Sequence, residues 1–232
     1  MDLNIMVESF PPLWQGFQIT LQLFVIASLG ALIVSVPVGI LQASPNKAVS
    51  TSLAWISRFL RSTPLIVQLF IVYFGFAQID WIRESWAWAY LRKPYWCALF
   101  VFILYSGAYN AHVLRGAILA VPHGDIEAGR AFGMFGFKLY RYIILPSAFR
   151  IALPGLCNEL IKNLKRTAIA STITISELTG TANLLVARTL APFEIFITAA
   201  AFYLVLTFVI TRVVQWLETR LQIGRHPVDT AS

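Results

Sequence analysis

From Ile151 to about Ile175 the chain is apolar enough to enter a lipid core, yet it carries Glu159, Lys162, Lys165 and Arg166. On a helix rising about 1.5 Å per residue, these charges stand roughly 13 to 24 Å into a core about 30 Å thick. A charge facing lipid there costs about 2.5 to 3.5 kcal/mol, so the four must face protein or water. Glu159, Lys162 and Arg166 follow i, i+3, i+7 spacing and share one helix face. One carboxylate beside several cations complements a zwitterion. Glu159 can accept an ammonium or guanidinium; Arg166 can hold a carboxylate through its fork, or Lys165 as a point charge. The same residues also read as a structural Glu159–Lys162 ion pair, with Lys165 and Arg166 snorkelling or lining a water-filled vestibule at a dimer interface. The spacing leaves both readings open.

Thr167, Ser171, Thr172 and Thr174 follow, ahead of Gly180. Such hydroxyls can satisfy backbone groups freed where a membrane helix breaks, and breaks of that kind flank transport sites. They can equally bond back to their own helix. Other chemistry is excluded by what the sequence lacks. There is no G-x-x-x-x-G-K-[ST] loop to cradle ATP phosphates and no H-E-x-x-H pair for zinc. His112, His123 and His226 are widely spaced and near no candidate nucleophile. Cys97 and Cys157 lie in apolar surroundings and imply no disulfide framework. The expectation is a chain with no catalytic residue, no metal and no cofactor of its own.

The elements that must hold these residues are membrane helices. The 232 residues are 58% hydrophobic and only 12% charged, against about 25% charged in a soluble domain. Five spans are expected, at about 17–43, 53–79, 94–116, 150–175 and 194–220, forming one all-α integral membrane domain over 1–232. Leu53 to Arg61 is expected to extend the second span's helix into the cytoplasm. Of the 18 Lys and Arg residues, 11 fall on one side of this arrangement and 4 on the other. By the positive-inside rule the richer side is cytoplasmic, which puts the N-terminus outside and the C-terminus inside. The net charge of +7 therefore marks cytoplasmic loops rather than a nucleic-acid partner. Trp14, and the cluster Trp81, Trp86, Trp88, Tyr90 and Trp96, fall at the outer interface as an aromatic belt. Met1 to Pro12 carries no basic residue and does not read as a signal peptide. Gln222 to Ser232 reads as a frayed tail.

The longest cytoplasmic loop, about 121–146, is glycine-studded and basic. Asp125 is expected to cap a short helix and Glu127 to sit in its first turn. Gly133 and Gly136 permit a sharp turn. A second short helix, Phe137 to Leu145, is expected to end at Pro146. This loop resembles the EAA loop of bacterial ABC importer permeases, whose pattern is EAA, three residues, G, nine residues, I, one residue, LP. Here it reads Glu127-Ala128-Gly129, Gly133, Ile143 and Leu145-Pro146, with every spacing kept. Gly129 in place of the second alanine is the one departure, and by propensity it should loosen the first helix.

The resemblance extends over roughly residues 15 to 222. Arg61-Ser62-Thr63-Pro64-Leu65-Ile66-Val67-Gln68-Leu69 is similar to RGTPLLVQL of the polar amino-acid branch. Ala108-Tyr109-Asn110-Ala111 through Arg115-Gly116-Ala117-Ile118 is similar to AYTAEIxRGAI, with His112 where that branch has Glu. Leu164-Lys165-Arg166-Thr167-Ala168-Ile169 is similar to LKxTSL, and Ser176-Glu177-Leu178 follows in place. The nearest likeness is to the M-type subunits of histidine, basic amino-acid and opine importers, which share the Asn158-Glu159 pair; glutamine-type relatives commonly carry Gln at the acid.

The resemblance implies a type I importer permease of a bacterial inner membrane, working beside a homologous permease as a heterodimer or homodimer. It implies two ATP-binding subunits, which use the ATP, and a periplasmic amino-acid-binding protein. Glu127, Ala128, Gly129, Gly133, Leu145 and Pro146 would couple to the ATPase; Asn158, Glu159, Lys162, Lys165, Arg166 and Thr167 would meet the substrate. Basic amino acids or opines are the expected cargo. The alternatives are a permease for neutral or acidic amino acids such as glutamine, a stand-alone secondary transporter, for which five spans are few, and a membrane enzyme, which lacks its nucleophile.

Overall fold

The structure is a computed structural model and describes residues 3–220; the tail from Gln222 lies outside them. The first helix, α1, runs Leu3–Gln42, starting well before the expected span and carrying Pro11, Pro12 and Pro37 inside it. A loop capped by Asn46 leads to α2 (Lys47–Ser62), with the Asn46 side chain accepting from the amides of Ala48 and Val49. Next come α3 (Leu65–Phe70), a wide turn (Ile71–Gly75) and a tight one (Phe76–Gln78). Two short helices, α4 (Asp80–Arg83) and α5 (Trp88–Leu91), precede α6 (Pro94–Leu119). The hairpin of α7 (His123–Ala131) and α8 (Gly136–Leu139) leads through a wide turn into α9 (Leu145–Arg166). A 3₁₀ stretch (Thr167–Ile173), α10 (Leu178–Thr189) and α11 (Pro192–Arg220) complete the described chain.

Among the described residues, four helices are long and apolar enough to cross a membrane singly, including an unbroken Gly136–Ile173. The second span differs from expectation, because α2 and the segment Leu65–Gln78 meet at a 100° bend instead of forming one helix. Pro64 is the cause: it pushes Thr63 into an extended conformation (φ −99°, ψ 140°) and brings no N–H. The carbonyls freed at the break are met by Gln68, whose Nε2 donates to Leu60 O (2.6 Å) and Thr63 O (3.2 Å).

Packing register shows how the spans alternate. Gly30 lies against Ile103, Gly107 against Ala31 and Gly39 against Leu114, so α1 and α6 run parallel. Two parallel neighbouring spans require the chain to return across the membrane between them, which only the bent α2–α3 segment can do. By contrast, Ser106 bonds Asn163 and Gly155 meets Val113, so α9 runs antiparallel to α6. Leu23, Leu69, Val101, Phe102, Ala170 and Ile173 form a buried core joining these elements.

Two loop expectations are corrected. Helix α7 begins at His123 with Pro122 (φ −56°, ψ 134°) as its N-cap, so Asp125 sits in its first turn and makes no cap, and Glu127 falls beyond that turn. Pro146 does not end the second helix. The chain stays helical through it, because a widened turn at Tyr140–Ile144 absorbs the missing donor and places Pro146 in the first turn of α9, where proline is tolerated.

Candidate functional site

Span four supplies the charges, and its two faces separate them. Glu159 is buried; its Oε1 accepts from Lys162 Nζ at 2.8 Å and its Oε2 from Arg166 Nη2 at 3.2 Å. The i+3 and i+7 placement brings both cations to one carboxylate. The Lys162 side chain is 57% exposed, so its pair is half in solvent, whereas Arg166 is 16% exposed. Arg166 is held further by aromatic faces: its guanidinium carbon lies 5.0 Å from the ring centres of both Tyr105 and Tyr109. Arg61, at the end of α2, covers the Tyr109 ring at 5.7 Å, and the Tyr109 hydroxyl donates to Arg61 O at 3.2 Å. Nη1 of Arg166 and Nε of Arg61 are buried and have no acceptor.

Asn158 and Lys165 are exposed and lie apart from this cluster, as their positions on the helix dictate. With Ile151, Pro154 and Lys162 they make a stripe at i, i+3, i+7, i+11 and i+14 that is exposed among the described residues. Lys165 also lines a groove with Tyr203, Thr207 and Thr211 of α11. Thr167 is fully buried and its hydroxyl donates back to Leu164 O at 2.6 Å. Ser171 and Thr172 bond back to Ala168 O and Ile169 O. The hydroxyls therefore serve the 3₁₀ stretch in which α9 tightens. His112 is exposed near the C-terminal end of α6.

A second buried acid carried no role in the sequence reading. Glu177 is fully buried and caps α10, its Oε1 accepting from Gly180 N at 2.8 Å. Its Oε2 accepts from Thr20 Oγ1 (3.1 Å) and Tyr203 OH (3.0 Å), which ties α1 and α11 to α10. The Glu-x-x-Gly spacing at a helix start was the available signal. Its partners, more than 150 residues upstream and 26 downstream, could only be found in three dimensions.

At the α7–α8 hairpin, Gly133 (φ 76°) ends α7 with the amide of Met134 on Gly129 O (3.0 Å) and that of Gly133 on Arg130 O (2.9 Å). This is a Schellman closure, which needs a left-handed residue at that point. Gly129 is buried against Leu139 and Ile143, where a Cβ would stand 2.8 Å from Leu139 Cδ1. The departure from alanine thus lets the hairpin close tightly. Leu139, Ile144 and Ala148 anchor it to Leu114, Ala117 and Ile118 of α6. Glu127, Ala128, Phe132 and Phe137 remain exposed, the last two at 84% and 82%. Leu145 is half-buried and Pro146 exposed.

Spans around one charged helix, with a hairpin presenting exposed phenylalanines at their end, fit a transport permease. The chain belongs to the family of binding-protein-dependent transport system inner membrane components, whose pattern matches residues 35–223. It is 42% identical over 219 residues to the nopaline transport system permease protein NocM of Agrobacterium fabrum (strain C58 / ATCC 33970), covering 94% of this chain and 91% of that one. It is 36% identical over 206 residues to the histidine/lysine/arginine/ornithine transport system permease protein HisM of Escherichia coli (strain K12), covering 88% and 87%. A crystal structure of an amino acid ABC transporter with histidines matches at TM-score 0.84 and 30% identity, over 95% of this chain and 99% of that chain. The inward-facing MetNI methionine ABC transporter shares the fold at TM-score 0.77 and 19% identity, over 97% and 100%. The chain is a permease subunit of an inner-membrane ABC importer, and separate subunits hydrolyse the ATP.

Proposed function

We propose that the chain translocates basic amino acids (histidine, arginine, lysine, ornithine) or opines. Its N-terminus faces the periplasm and its C-terminus the cytoplasm. It pairs with a homologous permease, or with a second copy of itself, and takes its cargo from a periplasmic amino-acid-binding protein. It holds no cofactor; ATP binds to two partner subunits. The observation that carries the substrate class is Glu159, an acid kept at mid-span between two cations and beside an uncovered polar stripe. The names of the relatives point the same way.

In this reading the uncovered stripe of Asn158, Lys162 and Lys165 faces the second permease across water, which spares those charges a cost of about 2.5 to 3.5 kcal/mol each in lipid. The cations meet the substrate carboxylate, and Glu159, with lone pairs left after its two bonds, meets the cationic group. Glu127 and the exposed phenylalanines of the α7–α8 hairpin dock on an ATP-binding subunit, while Gly129, Gly133, Leu145 and Pro146 keep the hairpin rigid and joined to span four. Closure of the ATPase then moves α9 as one body, since no break separates hairpin from span.

The test is uptake into proteoliposomes containing the assembled complex, with L-arginine, L-histidine, nopaline and L-glutamine as cargo. ATP-dependent uptake of the cationic or opine substrates is expected. Uptake that follows an ion gradient without ATP, or that favours L-glutamine, overturns the reading.

A further inference from the structure

The cations of this chain do not stop at span four. The Tyr109 ring lies 5.0 Å from the Arg166 guanidinium carbon, and the Arg61 guanidinium covers the same ring from α2 at 5.7 Å. The Tyr109 hydroxyl donates to Arg61 O at 3.2 Å, which fixes the end of α2 beside this part of α6. One turn before Arg61 stands Arg58, stacked on Trp55 at 5.1 Å. One turn after Tyr109 stands His112, and one turn beyond that Arg115. The register therefore sets His112 among three arginines, and Arg58, Arg61 and Arg115 all act on it electrostatically. Arg58 and His112 are exposed and Arg61 and Arg115 half-buried, so the group is open to what enters from water.

What this cluster lacks is an acid. Among the described residues the ion pairs are Arg83 with Asp80, and Lys162 and Arg166 with Glu159; none reaches Arg58, Arg61 or Arg115. Arg115 Nε donates to Gln42 O at 3.1 Å, and Arg61 Nε has no acceptor. Guanidiniums drawn together repel one another, more strongly as they leave water, and such a group is relieved by an anion set against it. Position 112 shows where that anion belongs. In the pattern AYTAEIxRGAI a Glu stands there, three residues before the arginine and within reach of all three cations; here an imidazole replaces it.

We infer that Arg58, Arg61 and Arg115, left unpaired around His112, form a second carboxylate site, and that this chain selects opines over basic amino acids. A basic amino acid has a single carboxylate, which the cations of span four take in the proposed function. An opine is an amino acid whose α-nitrogen carries a carboxyalkyl group, so it brings a further carboxylate on the same molecule. With one carboxylate at Arg166, the next is a single tyrosine ring away from Arg61, whose guanidinium fork suits it. The inference rests on the proposed substrate class and narrows it.

The test is ATP-driven uptake by the assembled complex in proteoliposomes, read as the ratio of kcat/KM for nopaline to that for L-arginine. His112→Glu restores an acid among the three guanidiniums and is expected to lower this ratio at least tenfold. His112→Gln removes the imidazole without adding an acid, and is expected to keep the ratio within threefold of wild type. A ratio unchanged by His112→Glu overturns the inference. An equal fall with His112→Gln overturns it too, by making the imidazole itself the determinant. If the Glu variant does not assemble on size exclusion, Arg58→Gln takes its place, with a threefold or greater fall in the ratio expected and an unchanged ratio overturning the site. A wild-type complex that takes up L-arginine but not nopaline overturns this inference and leaves the basic amino acids as cargo. One that takes up neither overturns the substrate class itself, and this inference with it.

Discussion

Glu159 makes two charged hydrogen bonds, to Lys162 and Arg166, from one buried position. Removing its charge therefore acts on the substrate and on its partners together. Glu159→Gln is expected to raise KM for L-lysine about tenfold and for a neutral substrate about twofold or less, measured as uptake by the reconstituted complex. Equal changes for both would return Glu159 to a structural ion pair. Arg166 keeps its two tyrosine faces in this variant, so the complex should still assemble. Gly180 offers a purely steric case. A Cβ there would collide with Ile175 O, and this carbonyl is fixed in backbone. Gly180→Ala is expected to cost about 1–3 kcal/mol and to loosen the Glu177 cap, seen as a lower unfolding temperature of the purified complex. An unchanged unfolding temperature would mean that the turn before α10 yields freely.

Among the elements, the bent α2–α3 segment and the α7–α8 hairpin carry the most consequence. Gln68 satisfies the carbonyls released at Pro64, so Gln68→Leu leaves Leu60 O and Thr63 O without that donor. A loss of about 1–3 kcal/mol is expected, with faster amide exchange confined to residues near 60–70. Exchange unchanged there would show that water or lipid headgroups replace the Gln68 amide. The hairpin depends on Gly133 at φ 76°. An alanine meets no neighbour there but must adopt a left-handed conformation, at about 1–2 kcal/mol. Gly133→Ala should thus fray the end of α7 while sparing the spans.

At the scale of the whole molecule, Gly136–Ile173 forms one helical path from the α7–α8 hairpin to the end of the charged span. In the proposed mechanism, a push on the hairpin would be delivered along it to Glu159 and Arg166. Glu127 is exposed on the hairpin. Glu127→Lys is expected to leave insertion and assembly intact while ATP hydrolysis continues with uptake reduced at least tenfold. Normal coupled uptake by this variant would remove Glu127 from the docking face. A cysteine at Phe132 should likewise crosslink to an ATP-binding subunit, and failure to capture one would argue against the hairpin as the contact.

Composition and periodicity alone placed the apolar spans, because a lipid core demands long uncharged runs and tolerates charge only where it is hidden. Local spacing also determined that Glu159, Lys162 and Arg166 share a face, and that Gly133 turns the hairpin, since both follow from helix geometry and glycine's freedom. What surrounds those residues was not legible. The 100° bend at Pro64, the passage of a helix through Pro146 and the back-bonded hydroxyl of Thr167 depend on which neighbours rescue freed backbone groups. Glu177 with Thr20 and Tyr203, and the cavity lined by residues of α1, α6 and α9, exist only because these helices and α11 pack in one register. Spacing along the chain fixes what a single helix presents; contacts between helices far apart in sequence are decided by packing, and there the tertiary structure was required.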